Sequence, residues 1–228
     1  MVPHRGTIPE PSLKRLPDYV HVLRVLKARG AEHVSTTDIS SILRLDPTQV
    51  RKDLAWAGAA GRPRTGYRTC ELVQTLEDFL GWHSVAEAFL VGAGNLGSAL
   101  IGYQGMREHG LYLVAAFDKD PAKIGTTIQG LKVQDVDRLA SEARRMQVRI
   151  GVLTVPGGAA QEVAEKMVLG GILAIWNLTP VSLQLPTDVF VQDGGLYAQI
   201  AVLLRRAEEG VARKLGSYHH KYSHVRRL

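Results

Sequence analysis

Residues Ala88–Leu100 read AFLVGAGNLGSAL, and they constrain the fold more than any other stretch of the chain. An apolar run enters glycines at Gly92, Gly94 and Gly97, and a helical pattern follows. The spacing is that of a strand, a tight turn and a helix. The glycines permit the turn, a close backbone approach to a pyrophosphate, and close helix–strand packing, and the helix start offers free N–H groups. The signal is weak alone and stronger in context. A second apolar strand, LYLVAAFDKD, ends in Asp118 and Asp120, and Asp118 lies about 26 residues after Gly92. An acid there can accept from an adenosine ribose hydroxyl and would repel a 2′-phosphate, which favours NAD over NADP.

The pattern continues downstream. VRIGVLTVPGGAAQEVAEKM reads as strand, turn and helix, Ile172–Pro180 as another strand, and VFVQD as a short extended segment. Leu196, Ile200, Leu203 and Leu204 repeat at helical spacing. Alternating strands and helices predict a parallel, doubly wound sheet. Its ligand belongs at the carboxyl ends of the strands, near Gly92, Asp118, Thr154, Val155, Pro156 and Asn177.

A different chemistry precedes the cradle. Residues 1–68 carry twelve basic and six acidic side chains, and the remaining 160 carry sixteen of each. The whole net charge of +6 therefore lies in the first 68 residues, which points to a polyanion partner for that part alone. Leu13, Leu16, Tyr19, Val20, Leu23 and Leu26 predict a first helix that stops near Gly30. A second starts near Thr37, with Ile39, Ile42 and Leu43 on one face. Asp46 is a good N-cap, Pro47 suits the first helical position, and Gln49 can close a capping box. The third helix then turns Val50 and Leu54 inward and Thr48, Gln49, Arg51 and Lys52 outward. That is the helix-turn-helix arrangement, in which the start of the second helix reads base edges. The Gly-rich segment after it, with Arg62, Arg64 and Arg68, predicts a basic wing for phosphates or the minor groove. Glu71–Leu80 is amphipathic, and Gly81-Trp82-His83 reads as a linker.

The expected architecture is α/β. An N-terminal winged helix-turn-helix domain spans residues 1–82, a Rossmann-type parallel sheet domain spans 83–209, and a basic tail follows over 210–228. No apolar run approaches the roughly 18 residues of a membrane span. The first residues lack an apolar signal core, and the single Cys70 forms no internal disulfide, so a cytoplasmic chain is expected. None of the eight histidines falls at the end of a predicted sheet strand, and no substrate domain remains, so no catalysis and no metal are expected. Two other readings stay open. One is a CoA- or other nucleotide-binding regulator with an altered or lost redox switch, because TVPGGAAQEVAEKM resembles turns of CoA-binding domains. The other is a small reductase.

QVRKDL, GAGNLG, FDKDPAKIG, TVP followed by AAQEVA, and NLTPVSL keep the order and spacing of the Rex family of bacterial redox-sensing transcriptional repressors. The resemblance covers roughly Arg15 to Ala207. It implies a homodimer of winged-helix and Rossmann domains, with each C-terminal helix exchanged onto the partner. It also implies operator binding with NAD⁺ or no ligand, and release by NADH. Carried over by motif, the NAD(H) cradle is Gly92, Ala93, Gly94, Asn95, Leu96 and Gly97, with Asp118 at the ribose. Lys123 stands near the adenine, Thr154, Val155 and Pro156 beside the cofactor, and Tyr103 near the nicotinamide. The chain departs from the family pattern in five places. The family's Tyr-x-Gly-Phe reads Tyr103-Gln104-Gly105-Met106. Its wing Arg-Gly falls on Pro63-Arg64, and its Ser-Tyr-Phe-Gly on Ala55-Trp56-Ala57-Gly58. An arginine late in the first helix is His21, and the Asp that opens the exchanged helix is Gly195.

Overall fold

The computed structural model describes residues 7–194 and 199–209. Gly195, Leu196 and the basic tail lie outside the described residues. The chain forms two units. One takes in the chain up to Val85 together with Gly105–Gly110, and the other takes in Ala86–Gln104 and the chain from Leu111 onward.

In the first unit, α1 (Glu10–Ala28), α2 (Thr36–Leu43), α3 (Pro47–Trp56) and α4 (Thr69–Phe79) surround one apolar centre. Leu16, Tyr19, Val20 and Leu23 of α1 meet Ile39 of α2, Val50 and Leu54 of α3, and Leu72 and Leu76 of α4. Leu13, in the α1 stripe, is exposed at its edge. Ile42, expected on one face with Ile39 and Leu43, is 53% exposed. The buried face of α2 is Ile39 and Ser40, and at about 100° per residue Ile42 falls outside it.

Caps set the helix boundaries. Ser35 and Asp38 form a reciprocal capping box at α2. At α3, Asp46 alone caps, accepting from the Thr48 and Gln49 N–H groups at 2.8 and 3.1 Å. The box expected from Gln49 does not form, because its side chain donates to Asp53 instead.

A two-residue strand before α2, β1 (His33–Val34), pairs antiparallel with β2 (Tyr67–Arg68). Between α3 and β2 the Arg62 and Gly66 backbones exchange two hydrogen bonds, which closes a hairpin with Arg64 at φ 67°. Trp82 is not a free linker. Its N–H donates to the Glu77 carbonyl, Arg24 lies over its ring, and it packs edge-on against His109 with centroids 4.2 Å apart.

The second unit is a seven-stranded sheet. Its strands are β3 (Ala86–Val91), β4 (Leu111–Asp118), β5 (Thr127–Ile128), β6 (Leu131–Asp135), β7 (Ile150–Leu153), β8 (Ala174–Asn177) and β9 (Phe190–Asp193), in the order β5-β6-β4-β3-β7-β8-β9. The sheet was expected to be parallel throughout. Its edge is not, because β5 and β6 pair antiparallel across Gln129-Gly130. Both of those residues have positive φ, as a two-residue hairpin turn needs.

Its helices are α5 (Asn95–Ile101), α7 (Leu139–Met146) and α8 (Gly157–Leu169), and residues 199–209 are also helical; α6 (Gln104–Glu108) lies almost wholly in the segment that groups with the first unit. Phe89 and Phe117 on adjacent strands tilt together at 5.0 Å, and Leu139, Leu153, Ala160, Ala164 and Met167 complete that core. β3 lies between β4 and β7. The chain runs outward from β3 to one side and then returns to the other. The strand order thus reverses at the carboxyl ends of β3 and β7, where a crevice is expected in a doubly wound sheet. No helix among the described residues is long and apolar enough to cross a membrane.

Candidate functional site

At that reversal lies a cavity of about 940 Å³. Gly92, Gly94 and Leu96 line it from the β3–α5 turn and the start of α5, Asp118 from the end of β4, Lys123 from the segment after it, and Thr154, Val155 and Pro156 from the β7–α8 turn. Asp135, Val136, Ala159 and Lys166 close the far end, and sequence spacing alone had not singled them out.

Two glycines explain how backbone segments come so close. Gly92 sits at φ 104°, and a Cβ there would lie 2.7 Å from the Thr154 carbonyl. A Cβ on Gly97 would overlap the Gly92 carbonyl oxygen. Thr154 ties the two turns together, its hydroxyl donating to the Val91 and Gly92 carbonyls at 3.0 and 2.7 Å. Gly94 caps α5 without a side-chain acceptor.

Asp118 braces this cradle. It is 9% exposed. Its Oδ2 accepts from the Ala93 N–H at 2.8 Å and from Lys123 Nζ at 3.2 Å, and its Oδ1 accepts from the Asp120 N–H at 2.9 Å. Burial pushes the carboxyl up, but the Asp120 N–H, Lys123 and the Ala93 N–H together hold it below the usual carboxylate range. A carboxylate has about four lone-pair positions, so Oδ1 retains one for a further donor.

Not every sequence-predicted residue lines the cavity. Ala93 acts through Asp118, and Asn95 is exposed at the start of α5. Tyr103 is 62% exposed and away from the lining. Asn177 is buried. Its amide donates to the Val181 carbonyl and to Asp193 Oδ1, and its Oδ1 accepts from Thr179. It fastens the end of β8, and its neighbour Leu178 is the residue that lines the cavity.

The first unit carries a groove of about 570 Å³ bounded by Arg51, Arg62, Arg64 and Tyr67. Thr48, Arg51 and Lys52 are exposed along α3, and Arg62 and Arg64 along the hairpin. None of Arg51, Lys52, Arg62 and Arg64 forms an ion pair with a described residue, whereas Asp53 is paired with Arg15 and Glu71 with Arg68. A row of cations left without protein partners suits a polyanion.

Gln49 differs from its neighbours. It is half-buried, and its Nε2 donates to Asp53 Oδ1 at 2.8 Å. Asp53 is fully buried, and all four of its lone-pair positions are filled. Arg15 donates from Nε and Nη2 at 2.7 and 2.9 Å, the Tyr19 hydroxyl at 2.6 Å, and Gln49 as described. Burial pushes the Asp53 carboxyl up, but these donors outweigh it and hold it below the usual range. This cluster had no sequence signal beyond an acid on the inward side of α3. Among the described residues, no group of His, Cys, Asp and Glu could hold a metal ion.

A family model described as a CoA binding domain matches residues 84–181, and one described as a putative DNA-binding protein N-terminus matches residues 7–55. A relative from Bacteroides fragilis named redox-sensing transcriptional repressor Rex is 43% identical over 199 residues, which is 87% of this chain and 90% of that protein. One of the same name from Treponema denticola is 44% identical over 197 residues, 85% of this chain and 94% of its own length. The crystal structure of RSP in complex with NAD⁺ and operator DNA superposes with TM-score 0.84 at 30% identity, covering 93% of this chain and 99% of that one. RSP in complex with NADH gives 0.81 at 31% identity, covering 92% and 100%.

Proposed function

The chain belongs to the Rex family of redox-sensing transcriptional repressors, and on that premise we propose that it binds operator DNA as a homodimer and is released by NADH. One observation carries the reading: a single chain joins a helix and hairpin bearing unpaired cations to a doubly wound crevice built around Gly92, Gly97 and Asp118. It is a repressor and not an enzyme.

In this reading Gly92, Ala93, Gly94, Asn95, Leu96 and Gly97 hold the pyrophosphate of NAD(H). The remaining lone pair of Asp118 accepts from the ribose, and Lys123, Thr154, Val155 and Pro156 flank the adenosine side. The fit rests on the glycines, whose missing Cβ atoms leave the backbone approachable, and on that spare acceptor. Tyr103 belongs to the nicotinamide side, and Asn177 serves the site only by fastening the end of β8 beside it. Thr48, Gln49, Arg51 and Lys52 enter the major groove, and Arg62 and Arg64 sit against the minor groove. The chain up to Val85 with Gly105–Gly110, rather than residues 1–82 alone, forms the DNA-reading unit, and the remainder up to residue 209 forms the nucleotide unit. Ile200, Leu203 and Leu204 are 44–67% exposed on the last described helix, an apolar face that a second copy covers in the exchanged-helix dimer. A regulator of this kind with a single cysteine works in the reducing cytoplasm.

NAD⁺ and NADH differ in charge and ring planarity at the nicotinamide. Moving the dimer from 1:99 to 99:1 takes about 5.5 kcal/mol of differential affinity, or about 2.7 kcal/mol for each of two sites. The CoA reading is not favoured. The model of that description covers residues 84–181 alone, whereas the Rex relatives align along 85–87% of the chain, DNA-reading unit included. The test is a titration of labelled palindromic duplex with NAD⁺ and NADH added separately. Release by NADH and retention with NAD⁺ is expected. Equal binding with both would refute the switch.

A further inference from the structure

Gln49 is an outward-predicted residue of α3 whose side chain the protein holds through a buried carboxylate. Its partner is a carboxylate, which only accepts, so the hydrogen bond to Asp53 fixes which end of the amide is which. Nε2 faces Asp53, and Oε1 has no partner among the described residues. Asp53 cannot turn away to relax this constraint, because Arg15 holds both its oxygens and Tyr19 donates to one of them.

A free glutamine has choices at a base edge. It can present two donors, one donor and one acceptor, or an acceptor alone. With one N–H committed to Asp53, the amide no longer offers two donors to the paired acceptors of guanine, N7 and O6. Its Oε1 instead requires a donor, and in the major groove the base donors are the N6 amine of adenine and the N4 amine of cytosine.

We propose that Gln49 reads its base pair through the exocyclic amine, the N6 amine of adenine or the N4 amine of cytosine on whichever strand it faces, and that buried Asp53 is the positioning residue that fixes this orientation. The inference rests on the DNA-binding reading above and deepens it. Asp53 touches no base. It acts by denying the amide its flipped orientation, while Arg51 and Lys52, neither of which forms an ion pair with a described residue, supply the cationic contacts.

The experiment uses the full chain and duplexes selected from a randomised library. Gln49→Leu is first used to locate the base position at which selectivity collapses. On the wild type, that base is then replaced by its amine-free analogue, purine for adenine or 2-pyrimidinone for cytosine. We expect an affinity loss on the order of five- to tenfold, the size of one good base contact. The same replacement should have no effect on Gln49→Leu. Asp53→Asn, whose amide can either donate to or accept from Gln49, should flatten the preference at that position and leave the salt dependence unchanged. A purely structural role would instead weaken all duplexes alike. The wild-type measurement decides the matter even if Asp53→Asn fails to fold. Indifference of the wild type to loss of the amine on either strand at that base pair overturns the assignment while leaving DNA binding intact. Failure of the wild type to bind any duplex overturns the DNA-binding reading, and the inference falls with it.

Discussion

Replacing Asp53 with alanine removes the acceptor of four hydrogen bonds in one step and leaves Arg15 beside an uncompensated interior. Breaking a buried charged pair by deleting one partner costs about 3–5 kcal/mol. A unit of about 85 residues has a total stability of roughly 4–13 kcal/mol at 0.05–0.15 kcal/mol per residue. The loss is therefore a large part of the whole. By comparison, the pair between Glu10 and Lys14 is more than 60% exposed on both sides, and Glu10→Gln should cost under about 0.5 kcal/mol.

The assay is urea unfolding followed by tryptophan fluorescence in a Trp176→Phe background, where Trp56 and Trp82 report on the first unit alone. With a slope of about 1–2 kcal/mol/M, Asp53→Ala should lower the midpoint by roughly 1.5–5 M. The pH dependence has a definite sign. The folded carboxyl is held below its unfolded value near 4, so its contribution is full above that pH and disappears as pH falls through the lower folded value. The gap between wild type and variant should thus be constant from about pH 5 to 8 and shrink in acid. A midpoint shift no larger than that of Glu10→Gln, or a gap that widens in acid, would refute the reasoning.

Further outcomes follow from the same geometry. Gly97→Ala places a methyl group against the Gly92 carbonyl and should weaken NADH binding at least tenfold by calorimetry, since overpacking costs about 1–3 kcal/mol. Asp118→Ala should weaken NADH by about tenfold or more and narrow its advantage over NADPH, read from paired titrations. The Asp118 carboxyl is held low, so wild-type affinity should stay flat from about pH 5 to 8 and fall only in acid. With Arg51, Lys52, Arg62 and Arg64 from each of two protomers, log affinity against log salt should slope near −7, and Arg62→Ala should reduce that magnitude by about 2.

The sequence carried the cradle and the reading helix because both depend on local chemistry. Glycines at 92, 94 and 97 have few other uses at the end of an apolar strand. Asp46-Pro47 fixes a helix start wherever it occurs, and α3 begins at Pro47. Features made by distant residues were not legible. Asp53 reads as an ordinary acid until Arg15 and Tyr19 arrive from α1, 38 and 34 positions away. The β5–β6 hairpin was missed because its strands are too short to show alternation. Asp135 and Lys166 reach the cavity only because β6 and α8 converge there. Asn177 sits at a strand end, where sequence reasoning looks for ligands, yet its amide is spent on Val181 and Asp193.

The edge-on contact of Trp82 with His109 has a practical outcome for anyone dissecting this chain. Because Gly105–Gly110 groups with the amino-terminal unit, the polypeptide leaves that unit at Val85, re-enters it after Gln104 and departs again at Gly110. A protease cut at one bond would not liberate an intact operator-binding fragment, and a truncation ending near residue 85 would strip Trp82 of its aromatic neighbour. Swapping heads between relatives requires carrying the short return segment along with the head.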